Sequence, residues 1–380
     1  MLKVYLLGGL MNQISNIYKD VYNIDNLRRV YGEVRRACNN VKGIYAYDSF
    51  ESTNLYIIAD LLRKQSYKFS KYHIFMIREP KYRLIMSENI PDKIVNHVIS
   101  RYLLLPALDY KLIDTNVATR FKKGSGYAYD MLSKYLRKLK FTGQSIYALK
   151  IDIKKYFYNI DHNILKAKLK NEISDVDALE LIFASLDTTN EVYVNKEIMR
   201  VKNNEIKRVK KLKITDKEKE RKINDIMKIP IYEVNKGLGI GNMTSQILAV
   251  YYLNDVDHYI KEVLKCKYYI RYMDDLVILD NDKEKLKEIK PLIEKRINML
   301  NLEVNNKSRI IDFKRGFSFL GYTYILKDKL IVKINNQTMR RIKRHLSCVK
   351  KRSKSKYMLS LASYKGYFQR ADYAPQEYIY

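Results

Sequence analysis

The sequence predicts an α+β protein, and three observations carry that prediction. Two apolar, aromatic-rich stretches, 146–152 and 268–279, have the composition of buried strands, and each meets aspartate where it ends or turns. Amphipathic helical patterns occupy most of the chain around them. Lys and Arg outnumber Asp and Glu by 72 to 42, a formal net charge of +30. An excess of that size favours a polyanionic partner, most simply nucleic acid.

At 380 residues, 47% of them hydrophobic, the chain exceeds what one compact core usually holds. No apolar run approaches the length of a spanning helix, so no membrane partner is expected. The start, 1–11, is too short and poorly arranged for a signal peptide. Cys38, Cys266 and Cys348 stand far apart with no CxxC pair. Neither a disulfide framework nor a zinc site is expected, which fits a cytoplasmic location. His162 and His258 each follow an aspartate and read as surface or packing residues. The 34 tyrosines can supply stacking platforms for bases. Lys, Ile and Asn are plentiful too, which points instead to codon bias for most of them.

Taken in order, residues 12–70 read as basic helices, with a start at Asn23-Ile24-Asp25 and a second amphipathic pattern from Ser52 to Arg63. Tyr72–Ile77 and Leu84–Met86 read as a hairpin around the basic turn Glu79–Arg83. Arg78, Lys81 and Arg83 on it can hold a triphosphate, or simply solvate the turn. Residues 91–105 open with Pro91, which suits a helix start. Thr119–Gly126 is a basic Gly-Ser turn ahead of a helix from Tyr129 to Lys140; it suits a phosphate but lacks P-loop spacing.

The 146–152 strand runs into Asp152, and an aromatic segment leads to a helix from about Asp161. Tyr268–Leu279 reads as a hairpin with Asp274 and Asp275 at its turn. Adjacent carboxylates suit a hard divalent cation, or a solvated turn between two core strands. If the two strands are neighbours, Asp152, Asp274 and Asp275 form a three-carboxylate cluster that two magnesium ions would neutralise.

Residues 191–230 are a charged interruption, with a basic run at Lys207–Lys213. It reads as a solvated helical hairpin or as an insertion touching nucleic acid. Lys236–Gln246 is a Gly-rich loop able to approach a nucleotide or base pair closely, opening a helix from Ile247 to about Leu264. An amphipathic helix follows over 283–301, then a short hairpin reaching Ile334. The basic tail, 338–380, keeps helical apolar spacing and fits a lid along a nucleic-acid backbone.

Read in order from about Leu27 to Ala371, these motifs resemble the bacterial reverse transcriptases. The group II intron-like enzymes, with their retroelement and phage-defence branches, are the most similar. Asp152-Ile153-Lys154-Lys155-Tyr156-Phe157 resembles the first palm motif, Gly237–Gln246 the template and nucleotide loop, and Tyr272-Met273-Asp274-Asp275 the metal signature. Phe319-Leu320-Gly321-Tyr322 resembles the primer grip. Many relatives carry Pro-Gln-Gly where this chain has Gly239-Ile240-Gly241, a departure similar to the diversity-generating branch that puts fidelity in doubt.

The resemblance implies a right-hand polymerase with an N-terminal helical extension (1–70) and fingers (71–145). A palm with a split βαβ sheet and the 191–230 insertion (146–335) and a small helical thumb (336–380) follow. It implies an RNA-directed DNA polymerase with two Mg²⁺ ions, Mn²⁺ being the alternative. Asp152, Asp274, Asp275 and the Ile153 backbone would serve the metals, and Lys307 the leaving pyrophosphate. Arg78, Lys81, Arg83, Ile153, Phe157, Ile240 and Gly241 would bind the nucleotide, with Phe157 excluding a ribose 2′-OH. An RNA template, a DNA primer or cDNA product and dNTPs are the implied partners, with a dedicated non-coding RNA and a protein partner as additions. No zinc-knuckle, endonuclease or ribonuclease H segment is read. The expected setting is anti-phage defence; the alternatives are a diversity-generating retroelement and a non-catalytic, RNA-binding polymerase-like module.

Overall fold

A computed structural model describes residues 13–38 and 40–372 of the chain. The 1–11 stretch and the last part of the basic tail, 373–380, lie outside the described residues. The chain divides into two compact units, and each is assembled from separated segments. Unit 1 comprises Met1–Ile113, Lys155–Asp255 and Leu300–Leu302; unit 2 comprises Asp114–Lys154, Val256–Met299 and Glu303–Tyr380.

Unit 1 is mostly helical. Asn23 starts the helix Ile24–Ala37 by accepting from the backbone N–H groups of Asp25 and Asn26, and Leu27, Val30, Tyr31 and Val34 form its buried stripe. Asn89 caps Ile90–Val98 in the same way, with Pro91 in its first turn. The predicted hairpin forms as β1 (His73–Ile77) and β2 (Arg83–Ser87), antiparallel, with Ile74, Met76, Leu84 and Met86 turned inward.

What those four residues meet corrects the reading of the charged insertion as a solvated hairpin. Its helices, Val192–Lys210 and Asp216–Met227, lay Val194, Ile198, Val209 and Ile226 into the same core as the β1–β2 hairpin. Lys202, buried, donates to the carbonyls of Met227 (3.2 Å) and Ile229 (2.7 Å) and so satisfies the end of the second helix. Burial lowers the affinity of its amine for a proton. High charge on the outer faces had concealed an apolar face at helical spacing.

The Gly-rich loop opens the helix Met243–Tyr252, four residues before the predicted start, so Thr244 and Ser245 fall in its first turn. A turn at Leu253 interrupts the helical run, which resumes over Asn254–His258 and Tyr259–Val263 and so ends next to the expected Leu264.

Unit 2 holds two antiparallel sheets. The first contains β3 (Tyr147–Asp152), β4 (Tyr268–Tyr272), β5 (Asp275–Asp280) and β6 (Arg309–Asp312) in the order β4-β5-β3-β6. Both β3 and β4 run antiparallel to β5, so they are parallel to each other with β5 between them, a split βαβ connection. Leu276–Leu279 are buried throughout, as befits a strand paired on both edges and covered on both faces. The second sheet is β7 (Phe317–Phe319), β8 (Tyr322–Leu326) and β9 (Leu330–Ile334).

The helix Ser125–Lys140 buries Leu132, Leu136 and Leu139 in a core shared with both sheets. The basic tail is two helices, Asn336–Arg352 and Lys354–Phe368, which contribute Ile342, Leu346 and Phe368 to that core. It is an integral part of unit 2 as well as a basic surface, with Arg340, Arg341, Lys343 and Arg344 exposed. The α+β class stands as predicted.

Candidate active site

The carboxylates gather in unit 2 at the β4–β5 turn. Tyr272 pairs with Asp275 across it, leaving Met273 and Asp274 as a two-residue loop. Met273 takes φ +55°, a left-handed conformation that costs an L-residue on the order of 1 kcal/mol. A tight hairpin turn requires such a residue, and the surroundings hold it there. Nη1 of Arg271 donates to the Met273 carbonyl at 3.0 Å. Nε and Nη2 of the same guanidinium grip the two oxygens of Asp257 at 2.7 and 2.6 Å. Arg271 and Asp257 are both 0% exposed. Tyr269 adds a third donor to Asp257 at 2.6 Å; burial, then the Asp257 charge, push its hydroxyl well above the usual range, so it stays protonated and donating. The Arg271 backbone is also pinned, by Thr115 and Val117.

Asp152 ends β3 directly opposite Asp275 in register. The 305–308 turn clamps it. Asn305 donates its side-chain amide to Asp152 Oδ2 (2.9 Å) and its backbone N–H to the Asp152 carbonyl (2.7 Å). Ser308 Oγ accepts the Asp152 N–H at 3.0 Å. Two residues earlier on the same face of β3, Lys150 places its ammonium 3.1 Å from Asp275 Oδ1. Ile153 is buried and bridges to Val304, and Lys154 pairs with Glu303 at 2.8 Å.

The three-carboxylate cluster expected from the sequence is only partly formed. Among the described residues, no group of three or more His, Cys, Asp or Glu side chains could hold a metal ion as arranged. The register brings Asp152 and Asp275 face to face, while Asn305 and Lys150 occupy one oxygen of each. The donor chemistry nevertheless fits Mg²⁺: paired carboxylate oxygens on two central strands are what a hard divalent cation takes. Lys150 supplies positive charge beside that pair. Lys307 is exposed, its backbone N–H bound to Asn305 Oδ1 at 3.1 Å.

The other predicted residues lie in unit 1. Arg78, 51% exposed, is held bidentately by Glu205 of the insertion, Nε to Oε1 and Nη2 to Oε2, both at 2.9 Å. Arg208 donates twice to Oε1 of the same carboxylate, at 3.0 and 2.8 Å. Burial disfavours the Glu205 charge, but these two guanidiniums outweigh it and hold the carboxyl below its usual range. Lys81 and Arg83 are exposed at the turn and at the start of β2.

Phe157 and the Gly-rich loop are tied together. The Leu238 N–H donates to the Phe157 carbonyl at 2.7 Å, and the Ile240 carbonyl accepts the Met86 N–H of β2 at 2.8 Å. The loop's glycines serve close approaches within the protein. A Cβ on Gly241 (φ +137°) would lie 2.7 Å from the Met86 carbonyl oxygen, and one on Gly237 (φ +87°) 2.5 Å from the Tyr232 ring. At these two positions the protein's own backbone and ring already require glycine. The 119–126 turn is similarly engaged in unit 2, with Lys123 bound to the Asp114 carboxylate at 2.7 Å.

Sequence reasoning missed Lys150, Asn305, Ser308, Asp257, Arg271 and Glu205. Two signals were present. Lys150 shares a strand face with Asp152 at a spacing of two, and Asn305-Asn306-Lys307-Ser308 has the composition of an Asx-type turn.

The reverse transcriptase (RNA-dependent DNA polymerase) family profile matches residues 70–324, a span holding every predicted site residue. No curated protein sequence matches the chain. Among solved structures, apo telomerase from Candida tropicalis, truncated from its C-terminal domain, is similar with TM-score 0.46 at 15% identity. That match covers 70% of this chain and 55% of that one. Telomerase from Candida albicans in complex with a fragment of telomeric RNA is similar with TM-score 0.42 at 14% identity, over 86% of this chain and 59% of that one. The chain thus spans little more than half the length of either. With the profile covering most of the chain, and the carboxylates of its strand end and hairpin turn set on adjacent strands of one sheet, the chain belongs to the reverse transcriptase (RNA-dependent DNA polymerase) family.

Proposed function

We propose that the protein is an RNA-directed DNA polymerase that extends a DNA primer on an RNA template. The observation that carries this reading is the in-register pairing of Asp152 with Asp275, beside an Asp274 turn held by a buried arginine. Asp152, Asp274, Asp275 and the Ile153 carbonyl are the groups that would hold Mg²⁺. When bound, Mg²⁺ makes the primer hydroxyl more acidic and neutralises charge on the departing pyrophosphate.

The chain's own groups do the rest. Lys81 and Arg83, with Arg78 once released from Glu205, bind the triphosphate. Phe157 is the residue that would exclude a ribose 2′-OH, and Ile240 and Gly241 would contact the nucleotide. The primer 3′-oxygen bonds to the α-phosphorus and loses its proton to solvent. The bond from that phosphorus to the bridging oxygen breaks, and Lys307 protonates the pyrophosphate that leaves. The net charge of +30 supports binding to RNA template and cDNA product through their phosphates.

Primer extension on an RNA template with Mg²⁺ and dNTPs tests the reading. Asp274→Asn should reduce incorporation by about three orders of magnitude or more, since several kcal/mol of charge stabilisation are lost. Equal incorporation by variant and wild type would overturn it. One observation favours a second reading, a non-catalytic RNA-binding module: the three acids do not converge as arranged. No incorporation by the wild type, with RNA still bound, would establish that reading instead.

For the biological setting we propose bacterial anti-phage defence by a group II intron-like branch member, acting with a dedicated RNA or protein partner. A diversity-generating retroelement, to which Ile240 is similar, is the alternative. In a phage-plating assay with the whole locus, Asp274→Asn should abolish protection. Protection that survives it would remove synthesis as the effector.

A further inference from the structure

Two arginines from different elements share one buried carboxylate, and only one of them lies on the hairpin proposed to meet the triphosphate. Glu205 is 5% exposed, and both its oxygens are used by Arg78, one of them also by Arg208. A carboxylate so buried is strongly penalised if stripped of its cations. A single arginine there would be locked in place. Here Arg208, one turn along the same helix, keeps two hydrogen bonds to Oε1 if Arg78 departs. Arg78 is half exposed, so its guanidinium can swing into solvent without unpacking the core.

We propose that the 191–230 insertion is a latch on the fingers-like hairpin. Glu205 holds Arg78 in reserve, Arg208 keeps Glu205 neutralised when Arg78 leaves, and an incoming polyphosphate competes with Glu205 for the Arg78 guanidinium. The inference rests on the reading of the β1–β2 hairpin as the triphosphate-binding element, and it makes Glu205 and Arg208 positioning residues. The apolar packing of the insertion on Ile74, Met76, Leu84 and Met86 fixes where Glu205 stands relative to the hairpin. The exchange is favourable because a polyphosphate offers Arg78 more negative charge than one carboxylate shared between two arginines.

The latch makes two substitutions act in opposite directions. Glu205→Gln keeps the shape of the side chain and removes its charge, so Arg78 is released and polyphosphate binds more tightly. Arg208→Ala leaves Glu205 dependent on Arg78 alone, so Arg78 is held harder and polyphosphate binds more weakly. Each shift should be about three- to fivefold in Kd, the scale of one partly exposed ion pair. A merely structural role would make both variants worse.

Isothermal titration of the full chain with sodium tripolyphosphate, without nucleic acid, reads these shifts directly. Lys81→Ala and Arg83→Ala in the same titration check the reading beneath. If those two bind as the wild type does, the hairpin is not a polyphosphate site, and both that reading and the latch fall. If they weaken binding while Glu205→Gln and Arg208→Ala shift in the same direction or not at all, the latch alone is overturned.

Discussion

The protein presents clustered charge on two antiparallel hairpins of similar length and opposite sign. The β1–β2 hairpin of unit 1 carries Arg78, Lys81 and Arg83 around a five-residue connection. The β4–β5 hairpin of unit 2 carries Asp274 and Asp275 at a two-residue one. The acidic turn is braced by a fully buried guanidinium that reaches its carbonyl from the adjoining strand, with the counter-ion Asp257 equally buried. The basic turn is braced by one half-exposed arginine on a carboxylate from another element. On the proposed reading, the difference follows from what each must do. Carboxylates that repel one another must be over-determined to stay together, whereas cations that close on a ligand need a partner they can exchange.

If that contrast is correct, breaking the brace of the acidic hairpin has the largest consequence. Arg271→Met leaves Asp257 buried without its cation, at a cost of about 3–5 kcal/mol. Thermal unfolding should show the loss, and Asp257→Asn on the same background should recover part of it. An unchanged melting temperature for Arg271→Met would end the claim that this turn is rigidly held.

The basic hairpin should respond to pH instead. Glu88, just beyond β2, has its carboxyl pushed up from 4.5 to about 8 by burial and then by Asp92, against the side-chain hydrogen bond from Asn96. The folded state therefore keeps a proton that the unfolded state releases above about 4.5. Stability contributed by this group is fully present below that pH and declines as pH rises toward about 8, by no more than about 1.4 kcal/mol per pH unit. Denaturant titrations at several pH values should show the decline in the wild type, and Glu88→Gln should flatten it. A wild-type slope of opposite sign would refute the assignment.

The smallest effect concerns selectivity. Phe157 is linked to the basic hairpin through Leu238 and Ile240, so it belongs with the adjustable side of the comparison. Phe157→Val should relax the preference for dNTP over rNTP by about tenfold, roughly 1.4 kcal/mol between two transition states, in competitive incorporation. An unchanged preference would move the sugar gate to another residue.

Both hairpins were legible in the sequence because their signals are local. Alternating Tyr, Ile and Val flank a turn, and charge marks the turn itself. The meeting of the 146–152 strand with the Asp274-Asp275 hairpin was also readable, since a carboxylate ending one apolar strand needs a reason to be there. What holds the turns was not readable. Asp257 and Arg271 carry charge in a chain with 72 Lys and Arg, and nothing local separates a buried arginine from the solvated ones. Glu205 lies 127 residues from Arg78, inside a segment whose charge concealed the apolar stripe that docks it. How Asp274 stands to the other two acids was not readable either: it occupies the two-residue turn, outside the register that sets Asp152 opposite Asp275.

The split connection in the first sheet of unit 2 also sets an order of events during synthesis. β3 is the inner strand that both β5 and β6 pair with, and every one of its partners is translated after it. About 115 residues separate the end of β3 from the start of β4, a delay on the order of ten seconds at ordinary translation rates. Throughout that interval Ala148, Leu149 and Ile151, all buried in the finished protein, have no sheet to enter. The nascent chain thus carries an apolar strand with both edges unpaired, a template for pairing with a neighbouring nascent chain. The 155–255 segment can condense onto the helices already made while β3 waits. Slower translation after residue 155 lengthens that exposure, and a chaperone bound to β3 until the β4–β5 hairpin emerges shortens it.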